Sequence, residues 1–295
     1  MVMARSSSPL RYPGGKTCML DLLGDILRIN NLTRGHYAEP YAGGAGLALS
    51  LLFDGHVSDV HLNDIDRTIW SFWSSVLNDT GSFTGLMEST PVTIDEWHRQ
   101  RDIYLNEADY TDLEVGFATF FLNRTNRSGI IKGAGVIGGL DQSGAYKIDC
   151  RFNKVDLTRR IRRIAKYRSR IHLYRQDALA FLDDMDESLP VRSFLCIDPP
   201  YYNKGSSLYT SFYDRNDHQA VSQTVLGLDR PWVLTYDNVP EISHLYKARR
   251  QYAFDVSYSV QTKRVGTELL VASKGLKLPS EVRDRMQHRP QYRAA

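Results

Sequence analysis

The sequence has few cysteines and no long hydrophobic run, and both shortages exclude classes of protein. Its 295 residues include three cysteines, Cys18, Cys150 and Cys196. Three scattered thiols are too few for a disulfide framework or a zinc site, so we expect them to be reduced. No apolar stretch approaches the roughly 18 residues that a membrane-spanning helix needs. The first nine residues also lack the apolar centre of a signal peptide, and we therefore predict a cytoplasmic protein without a membrane partner.

Several catalytic signatures are missing as well. No proline precedes a cysteine, which excludes the Pro-Cys nucleophile of cytosine-C5 methylation. The eight histidines form neither an H-x-E nor an H-E-x-x-H spacing, so the zinc-deaminase and zinc-protease patterns fail. Gly14-Gly15-Lys16-Thr17 resembles the end of a phosphate-binding loop, but Leu10 stands where that loop requires glycine. We predict no metal site and no ATPase.

The formal net charge is only +3, but the basic residues are concentrated in two segments. Between Arg151 and Arg175, ten lysines or arginines accompany a single acid, Asp156. The spacing predicts a basic helix from Thr158 to Arg170 with Asp156 as its N-cap, and a basic tail over 279–295. Such density fits a polyanion partner, although a solvated helix face is an equally good interpretation of the charges alone.

Apolar runs and turn residues predict an α/β fold, a Rossmann-like doubly wound sheet, interrupted by an insert. Residues 37–62 read as a β-turn-α-β unit. Further strands are predicted at 171–174, 194–197, 232–235, 252–260 and 268–273. We therefore assign residues 1–69 and 166–278 to a catalytic domain and 70–165 to an inserted, mainly helical domain.

Gly44-Ala45-Gly46 lies between a predicted strand and a predicted helix, as in nucleotide-binding turns. Glycine lets the backbone approach a ligand, and the helix N-terminus favours a negative group. Asp64 ends the next strand, where a carboxylate can bind a ribose diol. Leu49 occupies the third glycine position of the dinucleotide pattern. The turn alone therefore does not separate NAD from S-adenosylmethionine, or either from a plain tight turn.

Asp198-Pro199-Pro200-Tyr201 is the most specific motif of the chain. Two successive prolines fix φ and cannot continue a sheet ladder, so they make a rigid turn after the strand. Such a turn directs the Asp198 carboxylate and the Pro199 carbonyl into the crevice where doubly wound sheets bind ligands. The two acceptors can hold both hydrogens of an amino group, with Tyr201 stacked on its ring. The nitrogen lone pair then faces a methyl donor; the alternative is a turn with an N-capping aspartate.

With these motifs in this order, the chain resembles the Dam family of DNA adenine-N6 methyltransferases, the α-group amino-methyltransferases. The resemblance spans roughly residues 10–273. Residues 10–16 resemble the block that closes over the cofactor, 39–46 the cofactor loop, and 198–201 the catalytic block. Phe121-Leu122-Asn123-Arg124 with Gly129 resembles the N-R-x-x-x-x-G element of the target-recognition insert.

The resemblance implies the fold of a class I S-adenosylmethionine-dependent methyltransferase acting on adenine flipped out of double-stranded DNA. The catalytic residues it implies are Asp198, Pro199, Pro200 and Tyr201. The cofactor-binding residues are Tyr12, Lys16, Glu39, Gly43, Gly44, Gly46, Asp64, Asp177 and Asp198. The DNA-binding residues are Asn123, Arg124, Arg127, Ser128 and Lys132.

The chain departs from the family pattern in its recognition segment. Family members specific for GATC carry a Tyr-Asn pair before the glycine and an Arg three residues after it, where this chain has Arg127-Ser128 and Lys132. We therefore predict a different methylated site. N4-cytosine methylation, RNA adenine methylation and a non-catalytic DNA-binding module remain alternatives. The recognition sequence, the oligomeric state and a cognate restriction endonuclease or other defence-system partner are left open.

Overall fold

The structure is a computed structural model that describes residues 7–11, 15–202, 213–260, 262–280, 282 and 287–288. One mixed sheet of eight strands runs through this part of the chain in the order β3-β2-β1-β4-β5-β7-β6-β8. The strands are β1 Gly35–Glu39, β2 Val57–Asn63, β3 Ile171–Tyr174, β4 Ser193–Ile197, β5 Trp232–Asp237, β6 Arg250–Val260, β7 Thr262–Ala272 and β8 Gln287–His288. Strands β1 to β5 pair in parallel, and β7 pairs antiparallel with β5 and β6.

Ten α-helices lie between the strands in the described residues. They are α1 Leu20–Ile29, α2 Gly46–Phe53, α3 Arg67–Asn78, α4 Thr80–Ser89, α5 Ile94–Leu105, α6 Asp112–Thr125, α7 Lys154–Ala165, α8 Ala178–Ser188, α9 Arg215–Gly227 and α10 Pro240–Leu245. Short 3-10 helices occur at Lys16–Met19, Glu107–Asp109, Arg127–Gly129, Ile148–Arg151 and Arg168–Arg170. In the same ranges we find no helix with the length and apolar character that a membrane crossing requires.

The sheet is covered on both faces, which explains its apolar central strands. Phe194 and Cys196 of β4 belong to one apolar cluster, whereas Leu195 and Ile197 belong to another. Successive side chains of a strand point to opposite faces, so a strand buried on both sides must be apolar throughout. The predicted α/β, Rossmann-like doubly wound sheet is confirmed, with its order reversing between β1 and β4, where such folds bind ligands.

The inserted helices pack directly on the sheet domain. Phe72 of α3 and Phe120 of α6 are fully buried, with their rings stacked at 5.9 Å between centroids. Both belong to the apolar cluster that also contains Val60 and Leu62 of β2. The insert therefore shares a core with the sheet, and its assignment as a separate domain over 70–165 stays a prediction.

The basic helix differs from its predicted limits. Helix α7 begins at Lys154 with Asn153 as N-cap, whose side chain accepts from the Asp156 backbone N–H at 3.0 Å. The Asp156 carboxylate instead pairs with Arg159 and Arg160. The predicted Asp156 cap was wrong because an asparagine three residues earlier satisfies the first turn. The helix that was predicted to reach Arg170 ends at Ala165, and Arg168–Arg170 form a separate 3-10 turn.

Candidate active site

One cavity of about 540 Å³ opens at the carboxyl ends of β1, β2 and β4, where the strand order reverses. Its wall contains every predicted cofactor-binding residue that the structure describes. These are Lys16, Glu39, Gly43, Gly44, Gly46, Asp64, Asp177 and Asp198. Tyr12 lies outside the described residues. The chain thus brings together groups that are up to 182 positions apart, from Lys16 to Asp198.

The glycine turn after β1 is held in place from two directions. Gly43 and Ala45 both adopt positive φ, at 44° and 45°. The Gly43 N–H donates to Asp64 Oδ2 at 2.9 Å, and its carbonyl accepts from Trp73 Nε1 at 2.8 Å. Since Trp73 lies on α3, the inserted helices also support the turn. Gly46 and Leu47, the first residues of α2, line the cavity directly after this turn.

Asp64 follows β2 and faces the cavity from the side of the glycine turn. Besides Gly43, the Asp66 backbone N–H donates to its carboxylate, at 3.1 Å. Burial, reinforced by the neighbouring Asp66 carboxylate, raises the pKa of Asp64 to about 7. The two backbone donors favour the ionised form without outweighing these effects. A ligand with hydroxyl donors would stabilise the carboxylate.

Glu39, at the end of β1, is the second acid of the wall. Its carboxylate accepts from the Tyr37 hydroxyl at 2.8 Å. Burial, with a smaller contribution from the charge of Asp198, raises the pKa of Glu39 to about 8. A buried acid with so little compensating charge favours a cationic ligand, which would lower its pKa.

Asp198 follows β4 and belongs to the same wall. Its Oδ1 accepts from Thr235 Oγ1 at 2.7 Å and lies 3.1 Å from Lys16 Nζ. Burial raises the pKa of Asp198, while the Lys16 charge opposes that change. The carboxylate is thus oriented by two partners and faces a cavity in which it can accept further hydrogen bonds.

Glu268 is a site residue that the sequence analysis missed. It lies on β7 and is 1% exposed, and its Oε2 is 3.0 Å from Lys16 Nζ. The same carboxylate accepts from the Tyr201 hydroxyl. A glutamate directly before the fully buried run Leu269 to Ala272 was the available signal, because an acid in a buried strand needs a partner.

Tyr201 lies beside the cavity. This side chain is 4% exposed and is not part of the cavity wall, and neither is Pro199, whereas Pro200 is. Lys16 Nζ donates to the Tyr201 hydroxyl at 2.7 Å, so the ring is held inside the protein beside the cavity. Its role in stacking on the target ring stays a prediction.

Asn123 is also not placed as predicted. Its side chain is fully buried, with Oδ1 accepting from the Arg11 N–H at 2.7 Å and Nδ2 donating to the Arg11 carbonyl at 2.9 Å. Nδ2 also donates to the Gly129 carbonyl at 2.8 Å. Gly129 has φ 76°, and an added Cβ would lie 2.2 Å from the Arg11 oxygen. The asparagine and glycine of the N-R-x-x-x-x-G element thus hold the N-terminal segment, which corrects the prediction that Asn123 contacts DNA.

The remaining predicted DNA residues divide into two groups. Arg124 is half-buried in the cavity wall, and its Nε donates to the Arg151 carbonyl at 2.7 Å. Burial and the nearby charge of Arg11 lower the pKa of Arg124 to about 9, which marks a surplus of positive charge here. Arg127 and Lys132 are exposed outside the cavity, and Ser128 adopts a left-handed φ of 57°. Their contacts with DNA stay predictions.

Comparison with known structures gives distant likenesses, of which two are described. A candidate RNA methyltransferase from Pyrococcus horikoshii is 10% identical, with a TM-score of 0.43, over 90% of this chain and 86% of that one. A conserved hypothetical protein of Streptococcus pyogenes is 11% identical, with a TM-score of 0.34, over 86% of this chain and 96% of that one. No curated protein matches the sequence significantly.

The sequence model of one protein family matches residues 12–264, which is most of the chain. That family is described as the D12 class of N6 adenine-specific DNA methyltransferases. The match includes the N-terminal lysine, the glycine turn, the inserted helices and the Asp-Pro-Pro-Tyr block. It confirms the family resemblance drawn from these motifs, and the chain belongs to the D12 class of N6 adenine-specific DNA methyltransferases.

Proposed function

We propose that this protein transfers a methyl group from S-adenosylmethionine to the N6 nitrogen of an adenine flipped out of double-stranded DNA. The observation that carries the proposal is the cavity, which gathers the glycine turn, Asp64 and Lys16 around Asp198. Its volume of about 540 Å³ suits a small organic ligand. Direct methyl transfer requires the donor and the target amine to lie side by side. A cavity with both a donor site and an amine-binding aspartate meets this requirement.

The chemistry of the wall supports S-adenosylmethionine as the donor. Glu39, Asp64 and Asp198 all have raised pKa values, chiefly through burial, so the cavity favours a ligand that brings positive charge. The cofactor carries a sulfonium and an ammonium group and, when bound, supplies an electrophilic methyl group. Asp64 would accept from its ribose hydroxyls, and the backbone of Gly43 to Gly46 would contact its remaining polar groups. Asp177 lies in the same wall, and we expect it to contact the adenine ring.

The chain's own residues hold the target amine and its proton. Asp198, oriented by Thr235 and Lys16, would accept one N6–H. The Pro199 carbonyl, between the wall residues Asp198 and Pro200, is proposed to accept the other. This leaves the nitrogen lone pair free to form the new N–C bond as the donor's C–S bond breaks. The methylated nitrogen then loses one proton, which the Asp198 carboxylate can accept. Because a charge-assisted acceptor stabilises the developing cation, no covalent intermediate is needed.

Product analysis tests the proposal directly. The protein is incubated with methyl-labelled S-adenosylmethionine and mixed-sequence duplex DNA, and the DNA is digested to nucleosides. We expect the label in N6-methyl-2′-deoxyadenosine, with none in deoxycytidine. Label in N4-methylcytosine, transfer to RNA but not to DNA, or DNA binding without transfer would each contradict the proposal in favour of one named alternative.

Phosphate binding is assigned to the exposed face of α7. Arg159 and Arg162 are 65% and 63% exposed, and Arg163 is exposed beside Phe53. Arg160 differs, since it is 22% exposed and donates to the Ser8 carbonyl at 3.1 Å. The first three side chains are outside the cavity wall and exposed enough to approach phosphate, although each also has a neighbour: Asp156, Glu88 and Phe53 respectively.

Reversing these three charges is expected to weaken binding to all DNA sequences about equally. With Arg159, Arg162 and Arg163 replaced by Glu, the slope of log K against log salt should fall in magnitude by about 3, since each phosphate contact contributes about 0.9. Fluorescence anisotropy at several salt concentrations measures the slope. The control reverses three exposed cations elsewhere, Arg28, Lys247 and Lys274. A slope that falls equally in both triple variants would show that α7 does not bind phosphate.

Cofactor affinity is expected to rise with pH around 7. Asp64 has a pKa of about 7 in the ligand-free protein, and only its carboxylate can accept from both ribose hydroxyls. Protonation therefore competes with binding below that value, and the dissociation constant should fall roughly tenfold between pH 6 and pH 8. Calorimetry with S-adenosylmethionine measures it. Asp64→Asn should lose the component centred near pH 7; an unchanged pH dependence in this variant would refute the assignment.

The methylated site is expected to differ from GATC. Arg127 and Lys132 are exposed, and they replace the Tyr and Arg of a GATC reader. An arginine fork can bind guanine O6 and N7 together, whereas lysine is a flexible point charge, and each lost base contact is worth about 1–3 kcal/mol. The protein is expressed in a host without adenine methylation, and the DNA is challenged with an endonuclease that methyl-GATC blocks. Complete protection of the DNA from cleavage by this endonuclease would contradict the expectation. The control is the Asp198→Ala variant, in which this protection should be absent.

A further inference from the structure

Glu268 lies at the centre of a buried polar cluster beside the cavity. Its Oε1 and Oε2 are 3.2 and 3.0 Å from Lys16 Nζ, and Tyr201 donates its hydroxyl to Oε1. Lys16 in turn donates to Tyr201 at 2.7 Å and lies 3.1 Å from Asp198. We call Lys16, Asp198, Tyr201 and Glu268 the lysine cluster.

The lysine cluster connects parts of the chain that are far apart in sequence. Lys16 begins the first 3-10 helix, Asp198 and Tyr201 belong to the turn after β4, and Glu268 lies on β7. Lys16 is 7% exposed and Glu268 1% exposed, so water contributes little to their solvation. Removing one partner of such a pair leaves a buried charge, which costs far more than a surface contact.

One ammonium group serves two carboxylates in this cluster. Lys16 Nζ is within 3.1 Å of both Asp198 and Glu268, so each acid affects how strongly the other is stabilised. A second acid beside the first disfavours its ionisation, whereas the shared cation favours it. Glu268 thus influences Asp198 through Lys16 and through its own charge, although it does not line the cavity.

We propose that Glu268 is a positioning residue for methyl transfer, whose carboxylate holds the Lys16 ammonium and the Tyr201 hydroxyl against the Asp198 turn. The inference rests on the proposed function for its catalytic meaning. The effect of Glu268 on the position and the pKa of Asp198 can be measured whether or not the protein transfers methyl groups. Glu268 contacts neither of the groups that react.

The protonation of Asp198 gives a direct measure of this role. Burial and the Glu268 charge raise the pKa of Asp198, and Lys16 lowers it. Replacing Glu268 by glutamine keeps the shape and one acceptor but removes the charge, leaving Lys16 with a single carboxylate. The pKa of Asp198 should then fall. The titratable groups around Asp198 are Lys16, Cys18, Glu39, Cys196, Tyr201, Tyr236 and Glu268.

The first experiment needs no methyl transfer. Carboxyl ¹³C NMR follows the titration of Asp198, whose resonance is assigned by its loss in Asp198→Asn. In Glu268→Gln we expect the midpoint to move to lower pH by about one unit. The matched control is Glu96→Gln, which alters another buried glutamate, on α5, that pairs with Arg99. A midpoint that is unchanged in Glu268→Gln, or that moves equally in Glu96→Gln, would overturn the inference.

The second experiment measures turnover as a function of pH. In Glu268→Gln the acidic limb of the kcat profile should move in the same direction as the NMR midpoint. We also expect kcat to fall roughly tenfold with little change in the KM for DNA, as for a misplaced positioning group. A KM effect alone would overturn the inference. An inactive wild type would contradict the proposed function, while the NMR result would still decide the role of Glu268. Glu268→Ala is not required, so a folding failure of that harsher variant does not affect the test.

Discussion

Replacing Asp198 by alanine is expected to lower kcat for methyl transfer by about a thousandfold, because the charged acceptor for the target amine is lost. Asp198 is fixed by Thr235 at 2.7 Å and by Lys16 at 3.1 Å, so no neighbouring carboxylate can take its place in the same geometry. Single-turnover transfer of labelled methyl groups to duplex DNA measures the effect, and thermal unfolding verifies the fold.

A second aspartate variant separates this effect from a change of overall charge. Asp183 is exposed on α8, and Asp183→Ala removes the same charge without touching the cavity. We expect it to retain wild-type kcat. If a folded Asp198→Ala protein kept half of the wild-type rate, the amine-clamp mechanism would be wrong.

Replacing Asp64 by alanine is expected to weaken S-adenosylmethionine binding by about a hundredfold. Two hydrogen bonds from a ribose diol to a carboxylate would be lost, each worth about 1.5 kcal/mol or more. The change also removes the acceptor that holds the Gly43 N–H at 2.9 Å, so the glycine turn loses one of its two supports. Calorimetric titration with the cofactor measures the loss.

Asp54→Ala is the matched control for the cofactor measurement. Asp54 is exposed just after α2, the helix that begins at the glycine turn, and is not part of the cavity wall. We expect its affinity for S-adenosylmethionine to equal that of the wild type. If Asp64→Ala also bound normally, the ribose assignment would fail, although the role of Asp198 would be unaffected.

Local sequence patterns predicted the parts of the fold that depend on local chemistry. The apolar run Phe194 to Ile197 predicted a buried parallel strand because both faces of such a strand are covered. The residues at the carboxyl ends of strands could then be placed at one edge without any knowledge of side-chain contacts. This reasoning placed Asp64 and Asp198 together, and both line one cavity, whereas Glu39 was named through the family resemblance.

Predictions failed where a contact between distant segments decides the outcome. Glu268 is 252 positions from Lys16, and no periodicity along the chain encodes that pair. The family resemblance implied a DNA contact for Asn123 through the N-R-x-x-x-x-G element, yet its amide is used by Arg11 and Gly129. The cap of α7 was misplaced because Asn153 and Asp156 are both good caps, and only the backbone geometry selects between them.

The contacts of Trp73 and Asn123 set a practical condition for engineering this enzyme class. Trp73 connects the helices after β2 to the glycine turn, and Asn123 connects them to the N-terminal segment at Arg11. A recognition segment grafted from a relative would arrive without the partners that fit these two points. Hybrid enzymes with new sequence specificity should therefore keep Trp73, Asn123 and Gly129 of this chain. Residues should be exchanged only at exposed positions such as Arg127 and Lys132.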